Sequence, residues 1–131
     1  MQAEPSKELR PEGNEEFIMA VKAVAKNIGI SAKKMRRVVD LVRGQKVDQA
    51  LDTLHFLITP SSKEVAKVIK SAANNAENNS QMSQRDLKIM TIQADEGPSL
   101  RRFRPRSRGR ASRIIKRSCH VTVVVDEEEA R

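Results

Sequence analysis

Leu100-Arg101-Arg102-Phe103-Arg104-Pro105-Arg106-Ser107-Arg108-Gly109-Arg110-Ala111-Ser112-Arg113-Ile114-Ile115-Lys116-Arg117-Ser118 is the stretch on which the reading of this chain turns. Nine of its residues are cationic, eight of them Arg, and none is acidic. Guanidinium stays charged at any physiological pH, forks onto phosphate with two hydrogen bonds and stacks on bases, whereas a merely solubilising surface mixes Lys with acids. Strand-like sequence brackets the run: Leu87, Ile89, Met90 and Ile92 lie before Gly97-Pro98, and Cys119 to Val125 lie after it. With Gly109 near the midpoint, the simplest fold is one hairpin, residues 97–118, with its tip at about Arg106 to Arg110. Arms of roughly ten residues at ~3.3 Å each would reach about 30 Å past the sheet. Leu100, Phe103, Ile114 and Ile115 read as cross-strand pairs, which argues against a disordered basic tail that binds any polyanion. A two-stranded ribbon is marginal by itself, so this one is expected to gain order against nucleic acid.

Upstream, Met19, Val21, Ala23 and Ala25 alternate with Ala20, Lys22, Val24 and Lys26, which predicts a strand over Phe17 to Ile28. Ala32, Met35, Val38, Val39 and Val42 recur at helical spacing, with Ser31 as the expected N-cap and Gly44 as the stop. Val47, Ala50, Leu51, Leu54 and Leu57 predict a second helix ending near Thr59-Pro60. A third is expected to start at Ser61, with Glu64 closing a capping box, and to bury Val65, Val68, Ile69, Ala72, Ala73 and Ala76 before fading into Asn74, Asn75, Asn78 and Asn79.

The chain's 131 residues fit one domain, and its apolar content of 38% with 2% aromatics means a small aliphatic core. Residues 1–16 are read as a disordered acidic extension, 17–125 as a single RNA-binding domain that includes the hairpin, and 126–131 as an acidic tail. The net charge of +8 understates the middle, because 22 Lys or Arg stand against 8 acids between Phe17 and Val125, a surplus of 14. Such a surface calls for a polyanionic partner. Cys119 is the only cysteine, which excludes an intrachain disulfide and suits a reducing compartment. Neither a secretory signal nor a run of the ~20 apolar residues that a membrane span needs is visible, so no membrane partner is expected.

Beyond the hairpin cations Arg101, Arg102, Arg104, Arg106, Arg108, Arg110, Arg113, Lys116 and Arg117, the first helix offers Lys33, Lys34, Arg36, Arg37 and Arg43, with Lys46 nearby. These could instead be an ordinary solvated face. Asn75 and Asn79 could bond base edges or 2′-hydroxyls, or simply end a helix. No catalytic, metal or cofactor site is expected. His55 and His120 lack ligand-spaced companions. Cys119 and His120, like Asp95 and Glu96, are neighbours on a strand and point to opposite faces, so neither pair can work on one substrate atom.

The run Asp95-Glu96-Gly97-Pro98-Ser99-Leu100 and onward to Ala111, then Arg113, Lys116-Arg117-Ser118 and His120 to Val125, resembles bacterial-type ribosomal large-subunit protein twenty-two. Ser31-Ala32-Lys33-Lys34-Met35-Arg36, Val39 to Gly44 and Lys70 to Asn79 support the resemblance, which spans about Ala20 to Val125. It implies an α+β fold, a three-stranded antiparallel sheet packed on three helices with a long protruding β-hairpin. It also implies a structural constituent of the large subunit that binds 23S-type rRNA, aids assembly and lines the nascent-peptide exit tunnel. The tunnel-lining tip would be Pro105, Arg106, Ser107, Arg108, Gly109, Arg110 and Ala111. The segment whose loss brings macrolide resistance in that family matches Leu100-Arg101-Arg102. The partners implied are large-subunit rRNA, neighbouring ribosomal proteins and the nascent chain, with the protein a monomer within a cytoplasmic or plastid ribosome. The acidic residues 1–16 depart from the family pattern. A nucleoid or transcription-regulating protein using the ribbon in a DNA groove is the competing class. It would need a self-complementary apolar face for a symmetric dimer, and the sequence shows none outside the helical stripes. A translational repressor drawn from the ribosome is a third.

Overall fold

A computed structural model describes residues 20–128. The acidic extension 1–16, the start of the expected strand at Phe17 to Met19, and residues 129–131 lie outside the described residues. In chain order the elements are β1 (Val21–Ile28), α1 (Ala32–Val42), α2 (Val47–Phe56), α3 (Pro60–Ser80), β2 (Leu87–Glu96), β3 (Leu100–Pro105), β4 (Ala111–Lys116) and β5 (Cys119–Glu127). The fold is α+β. An antiparallel sheet ordered β1-β5-β2 packs on three helices, and β3 and β4 pair as a separate two-stranded sheet.

The inner face of the sheet carries Ala23, Ile89, Ile92, Val121, Val123 and Val125, all buried. Against it lies α3, whose Ala72, Ala73 and Ala76 are fully buried and whose small side chains bring helix and strands close. Two bulges set which side chains point inward. Met90 is skipped in the β2–β5 register, so burial passes from Leu87 and Ile89 to Ile92 and Ala94, and Met90 is left exposed. The β1–β5 register slips between Ala25 and Ile28, where Asn27 has φ of 58° and donates its backbone N–H to His120 Nδ1 at 3.1 Å.

The stripes read for α1 and α3 are buried, while of the α2 stripe Val47, Ala50 and Leu54 are buried and Leu51 and Leu57 only half-buried. Helix ends differ from expectation, α2 stopping at Phe56 rather than near Thr59-Pro60. Ser31 holds the N-cap position of α1 without a side-chain cap bond. Helix α3 is capped by Thr59, whose hydroxyl accepts from Ser62 N–H, with Pro60 in the first turn, so Ser61 and Glu64 form no capping box. Proline is favoured there because its missing N–H would have been unpaired anyway. Nor does α3 fade at the asparagines. It runs through Asn74, Asn75, Asn78 and Asn79 to Ser80 and ends on left-handed Gln81, whose N–H bonds back to Ala76. At the C-terminal side β5 extends to Glu127, and Glu128 pairs with both Lys46 and Lys88 at 3.5 Å.

The root of the β3–β4 hairpin is tight. Gly97 N–H donates to the Ser118 carbonyl at 2.9 Å, and the Ser118 hydroxyl donates to the Pro98 carbonyl. A Cβ on Gly97 would sit 2.7 Å from Ser118 Oγ and 3.1 Å from a His120 ring carbon. Gly97→Val therefore displaces Ser118 and is expected to cost about 1–3 kcal/mol. An unshifted urea midpoint would contradict this.

Candidate nucleic-acid interface

The register of the ribbon follows from its tip. Arg106 N–H donates to the Arg110 carbonyl at 2.7 Å, closing a loop in which Arg108 (φ 58°) and Gly109 (φ 69°) are both left-handed. Glycine adopts that conformation without steric cost, whereas Arg108 does so against its Cβ. With nothing within 4 Å of a Cβ on Gly109, Gly109→Val would suffer backbone strain alone, about 1–2 kcal/mol. Its signature would be altered amide chemical shifts over 106–110, and unchanged shifts would refute it.

From that loop, Pro105 pairs with Ala111, Arg104 with Ser112, Phe103 with Arg113, Arg102 with Ile114, Arg101 with Ile115 and Leu100 with Lys116. The apolar residues are thus not paired with one another, as the sequence reading had them; all four stand opposite a cation, Leu100 opposite Lys116, Phe103 opposite Arg113, Ile114 opposite Arg102 and Ile115 opposite Arg101. Strand alternation then divides the ribbon. One face holds Leu100, Arg102, Arg104, Ser112, Ile114 and Lys116, and the other holds Arg101, Phe103, Pro105, Ala111, Arg113 and Ile115. All of β3 is exposed.

None of the nine ribbon cations is in an ion pair among the described residues. Among the described residues their only side-chain hydrogen bonds are Arg102 to the Arg101 carbonyl and Arg106 Nε to Ser112 Oγ at 3.3 Å. A surface that concentrates unpaired guanidinium is electrostatically self-repelling until an anion meets it.

The cations of α1 fall into two groups. Lys33, Lys34 and Arg37 are exposed and unpaired among the described residues. Lys33 and Arg117 line one recess of about 330 Å³ with Ser31, Gly97, Ser99 and Ser118, which joins the N-terminus of α1 to the hairpin root. Arg36 and Arg43 have an internal task that sequence reasoning missed. Arg36 Nε donates to the Ala94 carbonyl at 3.1 Å and Arg43 to the Ile92 carbonyl at 3.2 Å. Farther along, the Gln45 carbonyl accepts from Ile89 N–H at 3.0 Å, and Lys46 bridges to Lys88. Strand β2 is an edge of the sheet, and this seam satisfies backbone groups that would otherwise invite another strand. Arg43 is also paired with Asp40 at 2.9 Å.

Lys46 therefore sits at the Lys88 end of β2, away from the hairpin root, and Asn75 and Asn79 share one side of α3, four residues apart. The structure does not gather these three with the ribbon. The 47–62 segment carries no Lys or Arg and exposes Asp48 and Asp52, so the basic surface is confined to other sides.

Nothing among the described residues resembles a reaction centre or a metal cluster. Cys119 is fully buried, and its burial pushes the thiol pKa up. No described helix is long and apolar enough to cross a membrane. What fold and surface define is a small α+β scaffold that displays unneutralised arginine on a ribbon of its own.

Comparison with known proteins gives that class its family. Residues 23–126 match the family model described as ribosomal protein L22p/L17e. The large ribosomal subunit protein uL22 of Dehalococcoides mccartyi is 59% identical over 107 residues, covering 82% of this chain and 98% of the relative. The protein of the same name from Herpetosiphon aurantiacus is 50% identical over 111 residues, 85% of this chain and 98% of its own. The chain belongs to the ribosomal protein L22p/L17e family, as a bacterial-type member. It is a structural protein of the large ribosomal subunit and not an enzyme, ribosome-associated and serving translation. These relatives are bacterial and lend no support to the plastid alternative.

Proposed function

We propose that the chain binds large-subunit rRNA directly through the β3–β4 ribbon, Arg101 to Arg117, and through Lys33, Lys34 and Arg37 of α1. The ribbon acts as a long hairpin protruding from the body, aids subunit assembly and lines the nascent-peptide exit tunnel with its tip, 105–111, beside the nascent chain. The protein would act as a monomer in the cytoplasmic ribosome. The observation that carries this reading is the nine exposed ribbon cations without one carboxylate partner among the described residues. Small tip residues Pro105, Ser107, Gly109 and Ala111 suit close approach to a lumen that must stay open. Arg36, Arg43 and Lys46 contribute to rRNA only with the donors that their internal bonds leave over, and Asn75 and Asn79 form a separate, weaker contact.

Binding that neutralises about eight phosphates predicts a log-log salt slope near −6 to −7, at ~0.7–0.9 per contact. The test is binding of the whole chain to a large-subunit rRNA fragment across salt, with random duplex DNA as competitor. Steep salt dependence with preference for rRNA supports the proposal, and a flat response or equal affinity for the duplex rejects it. Co-sedimentation with large subunits at moderate salt separates it from the DNA-groove alternative.

A further inference from the structure

The two faces of the ribbon differ in what they leave bare. Beside Arg102 and Arg104, Ile114 and Ser112 are half-buried, and on that face the one bare apolar side chain is Leu100 at the root end, 53% exposed. On the other face nothing is covered: Phe103 is 68% exposed and Ile115 50%, with Arg113 directly opposite Phe103 and Arg101 opposite Ile115. We propose that the Phe103 face is a stacking site for an unpaired rRNA base, seated on the ring and flanked by the guanidinium groups of Arg101 and Arg113, while Arg102, Arg104 and Lys116 hold phosphates on the opposite face. The inference rests on the ribbon's being an rRNA-binding element.

The chemistry selects the occupant. Phosphate and ribose present no flat apolar surface to an aromatic ring, and paired bases already stack within their own duplex. A base splayed out of a helix offers both a π-face for the ring and edge acceptors for the guanidinium forks. A ribbon with one stacking face and one phosphate face would sit between two RNA segments and read each differently.

The chain contains no Trp and no Tyr, so Phe103→Trp gives a single-tryptophan reporter at an exposed position, where folding is not at stake. Full-length large-subunit rRNA should quench its emission strongly, while inorganic polyphosphate, which supplies anions without bases, should bind and leave emission nearly unchanged. In parallel, Phe103→Leu should lower rRNA affinity about tenfold with an unaltered salt slope, and Phe103→Tyr should retain it. Saturating rRNA binding without quenching, or wild-type affinity in Phe103→Leu, would overturn the stacking site. If Gln variants of Arg102, Arg104 and Lys116 also bind like wild type, the ribbon reading itself fails. If those variants weaken binding and Phe103→Leu alone is silent, only the stacking face falls.

Discussion

Exchanging Arg102, Arg104, Arg106 and Lys116 together for Gln is expected to weaken rRNA binding about a thousandfold near 0.1 M salt and to leave it almost unchanged near 1 M. Four phosphate contacts at ~0.7–0.9 each remove about three units from the log-log slope, and the loss scales with that slope. The fold should not suffer. All four residues are exposed and unpaired with any acid among the described residues, so the variant loses only the Arg106–Ser112 bond and the Arg102 bond to its neighbouring carbonyl. Relieved self-repulsion could even raise the urea midpoint slightly. Binding isotherms over a range of salt decide the matter: a parallel shift with unchanged slope would mean that these groups do not meet phosphate.

Ile69→Ala should do the reverse, destroying stability while sparing the electrostatics. Ile69 is fully buried on α3 among the core residues under the sheet. Truncation removes its transfer free energy and leaves a cavity, together about 2–5 kcal/mol. For a domain whose total stability is of the order of 5–15 kcal/mol, that is a large share. Urea unfolding should show it, and at salt and temperature where the variant remains folded the rRNA slope should equal that of the wild type. A loss under about 1 kcal/mol would mean that α3 does not close the core.

Local pattern was enough for much of this architecture. The stripes of α1 and α3 are buried as their spacing predicted, because a 3.6-residue period has one face to hide. The tip at residues 106–110 was legible from Gly109 between two strand patterns. Other features were hidden by competition between equally good local signals. Ser61 and Glu64 match a capping box, yet Thr59-Pro60 offers a hydroxyl and a proline suited to the first turn, and that pair forms the end of α3.

Register was misread for a different reason. Apolar side chains were assumed to seek one another across the ribbon, whereas the closed loop Arg106 to Arg110 fixes Pro105 opposite Ala111 and sets the cations beside the apolar residues. The seam of Arg36 and Arg43 on β2 was invisible, since it joins residues 58 and 49 positions apart and leaves no periodic trace. A basic helix face reads the same whether its guanidinium groups await phosphate or already hold backbone carbonyls.

The density of this chain within its own large ribosomal subunit would test the account most directly. The ribbon arginines should lie within hydrogen-bonding distance of rRNA phosphates and bases along both faces, with Phe103 against a splayed base. A ribbon folded back onto the body with its guanidinium groups on the chain's carboxylates, or standing free of rRNA, would contradict it.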